Sequence, residues 1–119
     1  QINKDMGCAF KIGEIVQFNI VGRQFAEDGF AMGGVLGCAD NELELFKEID
    51  IETFPSWRDF KTPTTKVRHG SYALIIKKIG RPLTMNPENE KWEMYDVYEV
   101  FTSQFTKRHV FRFNISKAF

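Results

Sequence analysis

The chain has 119 residues, 27% of them charged and 43% hydrophobic, with a formal net charge of zero. That is the size of one domain, spanning 1–119, and enough to bury a core without disulfide or metal staples. Disorder is excluded by the composition, and no window approaches the ~20 apolar residues of a membrane-crossing helix.

The zero hides an uneven distribution. Residues 1–60 hold five basic side chains against eleven acidic ones, and residues 61–119 hold eleven basic against five acidic. If this −6/+6 split is spatial, copies can attract one another, or the basic half can meet a polyanion; otherwise the halves neutralise each other inside the fold. Cys8 and Cys38 stand far apart with no C-x-x-C spacing, which favours reduced thiols. Asp5 interrupts the start of the chain before an apolar run of signal-peptide length, so a non-secreted protein is expected.

Residues 14–21, "EIVQFNIV", alternate Val16, Phe18 and Ile20 with Gln17 and Asn19, the period of a strand. Residues 22–37 carry five glycines and read as turns and bulges. Over 40–54, Leu43/Leu45 and Ile49/Ile51 alternate with acids, which predicts a strand, with Phe46 outward or at a bulge; Asn41 with Glu44 also fits a helix capping box. Pro55 and Pro63 predict a surface loop over 55–65, pinned by Trp57 and Phe60.

Residues 71–80, "SYALIIKKIG", are apolar on both parities and predict a central strand entered through Gly70. Residues 81–90, with Pro82 and Pro87, read as a loop. Residues 91–101 form a strand with Trp92, Met94, Asp96, Tyr98 and Val100 on one side. A tight connection "TSQF" leads to a last strand over 106–115, with His109, Phe111, Phe113 and Ile115 on one side. Arg108, Val110, Arg112 and Asn114 take the other. Strands at short intervals with no secure helix indicate a small antiparallel barrel or sandwich.

Motifs for chemistry are weak. Arg68-His69-Gly70 is the triplet of histidine phosphatases, but it precedes a mid-chain strand with no βαβ alternation around it, so a strand-entry turn is expected. Cys8, Cys38, His69 and His109 lack the local pairing of zinc ligands. Residues 29–37 carry no phosphate-loop spacing, and Ser56, Ser71, Ser103 and Ser116 lie in no nucleophile elbow. The acids Glu42, Glu44, Glu48, Asp50 and Glu52 read as solvated charge. No cofactor or metal is expected, and a small hydrolase or metal enzyme is the least favoured reading. The best binding constellation is basic: Lys77, Lys78, Arg81, Lys107, Arg108 and Arg112, with Tyr72, Tyr98 or Phe105 as stacking surfaces for nucleic acid. Outward Lys and Arg also serve simply to protect sheet edges.

Gly70 with "ALII" (73–76), Gly80, "YDVYEV" (95–100) and "RHVFRFNI" (108–115) resemble the closing strands of small SH3-like barrels encoded by tailed bacteriophages. The opening "FKIGEIVQF" (10–18) is similar to the first strand of that barrel, while 22–65 is longer and more acidic than the usual loop. The resemblance covers about half of the chain. It implies no catalytic residues, and a location in the host cytoplasm or the virion. The expected fold is all-β: an SH3-like antiparallel barrel of five or six strands with an elaborated 22–65 insertion. Its expected core contains Val16, Phe18, Ile20, Leu74, Ile76, Trp92, Tyr98, Val100, Phe111 and Phe113. The expected function is a non-enzymatic module contacting a protein partner or a second copy, with recognition by 22–37 and 55–65; nucleic-acid binding is the alternative.

Overall fold

A computed structural model describes residues 9–19, 42–46, 48–49, 51–52, 64–85 and 91–119. The expectations for Ile20, 22–37 and the greater part of 55–65 lie outside the described residues. The described chain is mostly antiparallel sheet. Its strands are β1 (Ile15–Phe18), β2 (Glu42–Phe46), β3 (Thr64–Arg68), β4 (Tyr72–Gly80), β5 (Leu83–Met85), β6 (Trp92–Met94), β7 (Val97–Thr102), β8 (Lys107–Phe111) and β9 (Ile115–Lys117). Seven of them form one sheet in the order β3-β2-β8-β7-β4-β1-β9, and β5 with β6 forms a separate hairpin.

The connection from β3 to β4 forces this sheet to curl. Four strand spacings separate them in the ladder, ~19 Å if the sheet were flat. The four residue steps from Arg68 to Tyr72 span at most ~14 Å. A turn there tightens the chain further, with Ser71 N–H bonded to Arg68 O, Gly70 N–H to Phe18 O, and Gly70 at φ +87°. Arg68-His69-Gly70 is thus the turn into β4. Among the described residues no ladder joins β3 to β9, so the sheet is curled but not closed.

Inside the curl sits the main core: Phe10, Val16, Phe18, Leu43, Leu45, Val67, Ala73, Ile75, Tyr98, Val100, Val110 and Ile115. A second cluster of Ile49, Val97, Phe111 and Phe113 lies on the opposite side of β7 and β8, packed with Ile51, Ile79 and Tyr95. Both faces of β7–β8 are therefore covered at that end, which is why β8 ends in a run of buried residues of both parities.

Several expectations need correction. The strand over 40–54 holds for Glu42–Phe46, with Leu43 and Leu45 inward, but Ile51 and Glu52 form a turn. Thr64 and Thr65 begin β3 instead of ending a loop, and β5 interrupts the loop assigned to 81–90. β4 is central as expected, paired with β1 and β7, but Ala73 and Ile75 face the core in place of Leu74 and Ile76. When both parities are apolar, alternation cannot say which side turns inward. The register decides it, setting Val16 opposite Ala73 and Ile15 opposite Leu74. A register shift between Ile75 and Lys77 then lets the facing change along the strand.

The strand over 91–101 breaks at Tyr95-Asp96. Trp92 therefore belongs to the β5–β6 hairpin and is 51% exposed instead of sharing the buried side of Tyr98. The last strand breaks too. A 3-10 turn at Arg112–Asn114 ends the alternation, so Arg112 and Asn114, expected on the polar side, are buried.

Candidate functional site

The six basic residues singled out in the sequence do not form one surface. Lys78 Nζ lies 3.2 Å from Asp96 Oδ1 and Arg81 Nη1 lies 3.9 Å from it, so both answer to a carboxylate of their own sheet. Arg112 is 2% exposed: its guanidinium lies 4.1 Å from the centre of the Phe10 ring, and Nη1 donates to Ile115 O at 2.9 Å. A planar cation over an aromatic face, bonded at its edge, is a packing element. Lys77 stands in register with Glu99. Lys107 and Arg108 remain together at the start of β8.

Tyr98, one of the expected stacking surfaces, is also buried; its hydroxyl accepts the Phe10 N–H, and the two rings meet edge-on. Tyr72 and Phe105 are exposed. Tyr72 stacks on Phe119 with centroids 6.3 Å apart.

Register assembles a feature that the linear pattern does not display. Ile15, Leu74 and Phe101 lie directly opposite one another across β1, β4 and β7, on the face away from the main core. Ile15 and Leu74 are each 37% exposed, and Phe101 is half-buried. The outer face of an antiparallel sheet ordinarily carries polar side chains. The β5–β6 hairpin presents a second apolar face, with Leu83 opposite Met94 and both exposed beside Trp92.

His109 is a buried titratable side chain. Its Nδ1 accepts the Ile49 N–H at 2.9 Å and its Nε2 faces Glu99 Oε2 at 3.5 Å. Burial pulls its pKa below the ordinary histidine value, against the raising influence of Glu99. The ring is thus neutral near pH 7 and both nitrogens are engaged, which leaves it no free lone pair for catalysis or metal binding. His69 is exposed at the turn before β4. Among the described residues no three His, Cys, Asp or Glu side chains converge on a metal site; Cys8, Cys38 and Asp50 lie outside them. Ser71 donates to Arg68 O and Ser116 to Asn19 Oδ1, so neither is paired with a base.

The charge division of the sequence is partly undone in space. The β2–β3 register places Glu42 opposite Arg68 and Glu44 opposite Lys66, bringing the acidic half against the basic one. The described surface thus exposes apolar and aromatic side chains among charges of both signs. No family model, no curated protein and no solved structure matches the chain.

Proposed function

We propose that the protein is a non-enzymatic interaction module whose outer β1–β4–β7 face makes a protein–protein contact, with a second copy as the partner. The single observation that supports it is the Ile15–Leu74–Phe101 row, solvent-facing and apolar across three adjacent strands. An apolar row of this kind can meet its own copy about a two-fold axis, and its burial favours association in proportion to the apolar area covered. The resemblance to SH3-like barrels of tailed bacteriophages belongs to the same proposal, in which the contact serves an assembling particle.

Light scattering over a range of concentrations, at low and high salt, tests it. The wild type gains mass with concentration at both salts, because an apolar contact is little screened. Leu74→Glu places a charge in the middle of the row and returns the protein to a monomer. A wild type that stays monomeric throughout overturns the self-association.

A further inference from the structure

The turn between β7 and β8 is built against the interest of the monomer. Phe105 N–H bonds to Thr102 O, and Thr102 N–H to Thr106 O. That is a type I turn followed by a left-handed residue, a position that glycine or asparagine fills at little cost. Here it holds phenylalanine at φ +61°, the one non-glycine residue with positive φ among those described. A bulky side chain there is strained by about 1 kcal/mol or more. Burial does not offset the strain, because the ring is 83% exposed, with the Phe101 ring edge-on at 6.2 Å between centroids. A strained residue whose side chain is turned to water is explained by something outside the chain.

Cations lie on the segments next to it. Lys107 is exposed and stands opposite Phe101 in the β7–β8 register. Arg108 Nε donates to Thr65 Oγ1 and Nη1 to Lys107 O, which holds the guanidinium at the rim. Gln104 Nε2 donates to Lys66 O and ties the turn to β3, where Lys66 is exposed. Among the described residues neither Lys107 nor Arg108 has a carboxylate partner, in contrast to Lys78 and Arg81, while the exposed Lys66 stands across from Glu44 in the β2–β3 register. An exposed ring next to Lys107 and Arg108, neither paired with an acid among the described residues, matches a chain of phosphates carrying planar bases better than an apolar protein surface. Duplex DNA is a poorer fit, since its bases are already stacked.

We propose that this end of the sheet binds single-stranded nucleic acid. Phe105 stacks on a base, and Lys66, Lys107 and Arg108 meet the phosphates. The site differs from the set visible in the sequence, since it drops Lys77, Lys78, Arg81 and Arg112 and gains Lys66. It adjoins the protein contact proposed above at Phe101, but Leu74 belongs to that contact alone, so Leu74→Glu leaves Phe105 and the cations in place.

Fluorescence anisotropy with labelled dT and U oligonucleotides of about 15 nucleotides tests it, with thermal melting of each variant alongside. The wild type binds at low salt and weakens steeply as salt rises. Phe105→Gly melts no lower than the wild type yet binds about tenfold more weakly, while Phe105→Trp retains binding. Lys107→Gln weakens binding and flattens the salt dependence by about one phosphate contact. No binding by the wild type at low salt overturns the proposal, as does binding that Phe105→Gly leaves unchanged. Loss of self-association by Phe105→Gly, with no oligonucleotide bound by the wild type, overturns it in favour of a protein anchor.

Discussion

The backbone N–H of Ile49 donates to Nδ1 of His109, 2.9 Å away and sixty positions along the chain. An acceptor at Nδ1 puts the ring proton on Nε2, facing Glu99, the residue directly across from His109 on β7. One bond thus anchors the short segment carrying Ile49 and Ile51 over Val97, Phe111 and Phe113. The second core depends on a neutral imidazole.

Acid should therefore loosen this contact. Burial opposes the charged ring, so the native pKa lies below the unfolded one; Glu99 and Glu48 work against that shift and Lys77 with it. The unfolded chain takes up the proton first, and stability falls as pH drops through about 6.5 and on toward the native value. His109→Asn keeps an acceptor near the Nδ1 position without titrating in this range. Melting curves across this window should slope for the wild type and flatten for the variant; equal slopes would exclude His109 as the source. His109→Phe leaves the Ile49 N–H unsatisfied and should cost about 1–3 kcal/mol at neutral pH.

Gly80 is required by contact. A Cβ there would lie 2.9 Å from Ile51 Cγ2 and 3.1 Å from Cγ1. Those atoms sit at a branch point and cannot swing aside as a flexible chain end would. Gly80→Ala should destabilise by about 1–3 kcal/mol. Ile51→Ala should remove much of that penalty in the double mutant, measured by urea unfolding; additive effects would refute the clash.

Arg112 and Lys107 should separate stability from binding. Arg112→Lys loses the planar stack on Phe10 and the fixed bond to Ile115 O, so the melting temperature should fall clearly. Its oligonucleotide affinity, per folded molecule, should match the wild type. Lys107→Gln should do the reverse, since Lys107 is exposed and without an ion pair among the described residues. Reduced affinity with Arg112→Lys in a fully folded sample would contradict the buried assignment.

Asp96 joins two cations at the edge of β7, and its Oδ1 is itself buried. Lys78 and Arg81 are exposed, which limits the gain through solvent screening. Asp96→Asn should cost about 1 kcal/mol or less, and the difference should shrink in high salt. A loss independent of salt would point to the backbone instead, where Asp96 O accepts the Arg112 N–H.

The strand at Ile15–Phe18, the turn at Gly70 and the "TSQF" connection are legible in the sequence because each rests on local rules: a two-residue period, a glycine entry, a short link between β-forming runs. The inward facing of Leu43 and Leu45 is legible for the same reason. β5 was hidden because a three-residue strand between prolines has no period to read. The row on the outer face was hidden because Ile15, Leu74 and Phe101 come from three distant segments. Phe105 was named from the sequence as a stacking surface, but its left-handed backbone in the turn was hidden, because a single aromatic residue carries no signal of its φ angle.

From composition and alternation alone, the chain is bound to be antiparallel sheet with aromatic side chains at its centre, since only that arrangement buries one parity while wetting the other. Which parity is buried, where the alternation breaks and which cations stay unpaired were decided in three dimensions. The register of β1 against β4 put Ala73 inside and Leu74 outside. A 3-10 turn drew Arg112 into the core. Those outcomes depend on which strands meet and in what register, and pairing between segments far apart in the chain is set by the packing of the whole sheet.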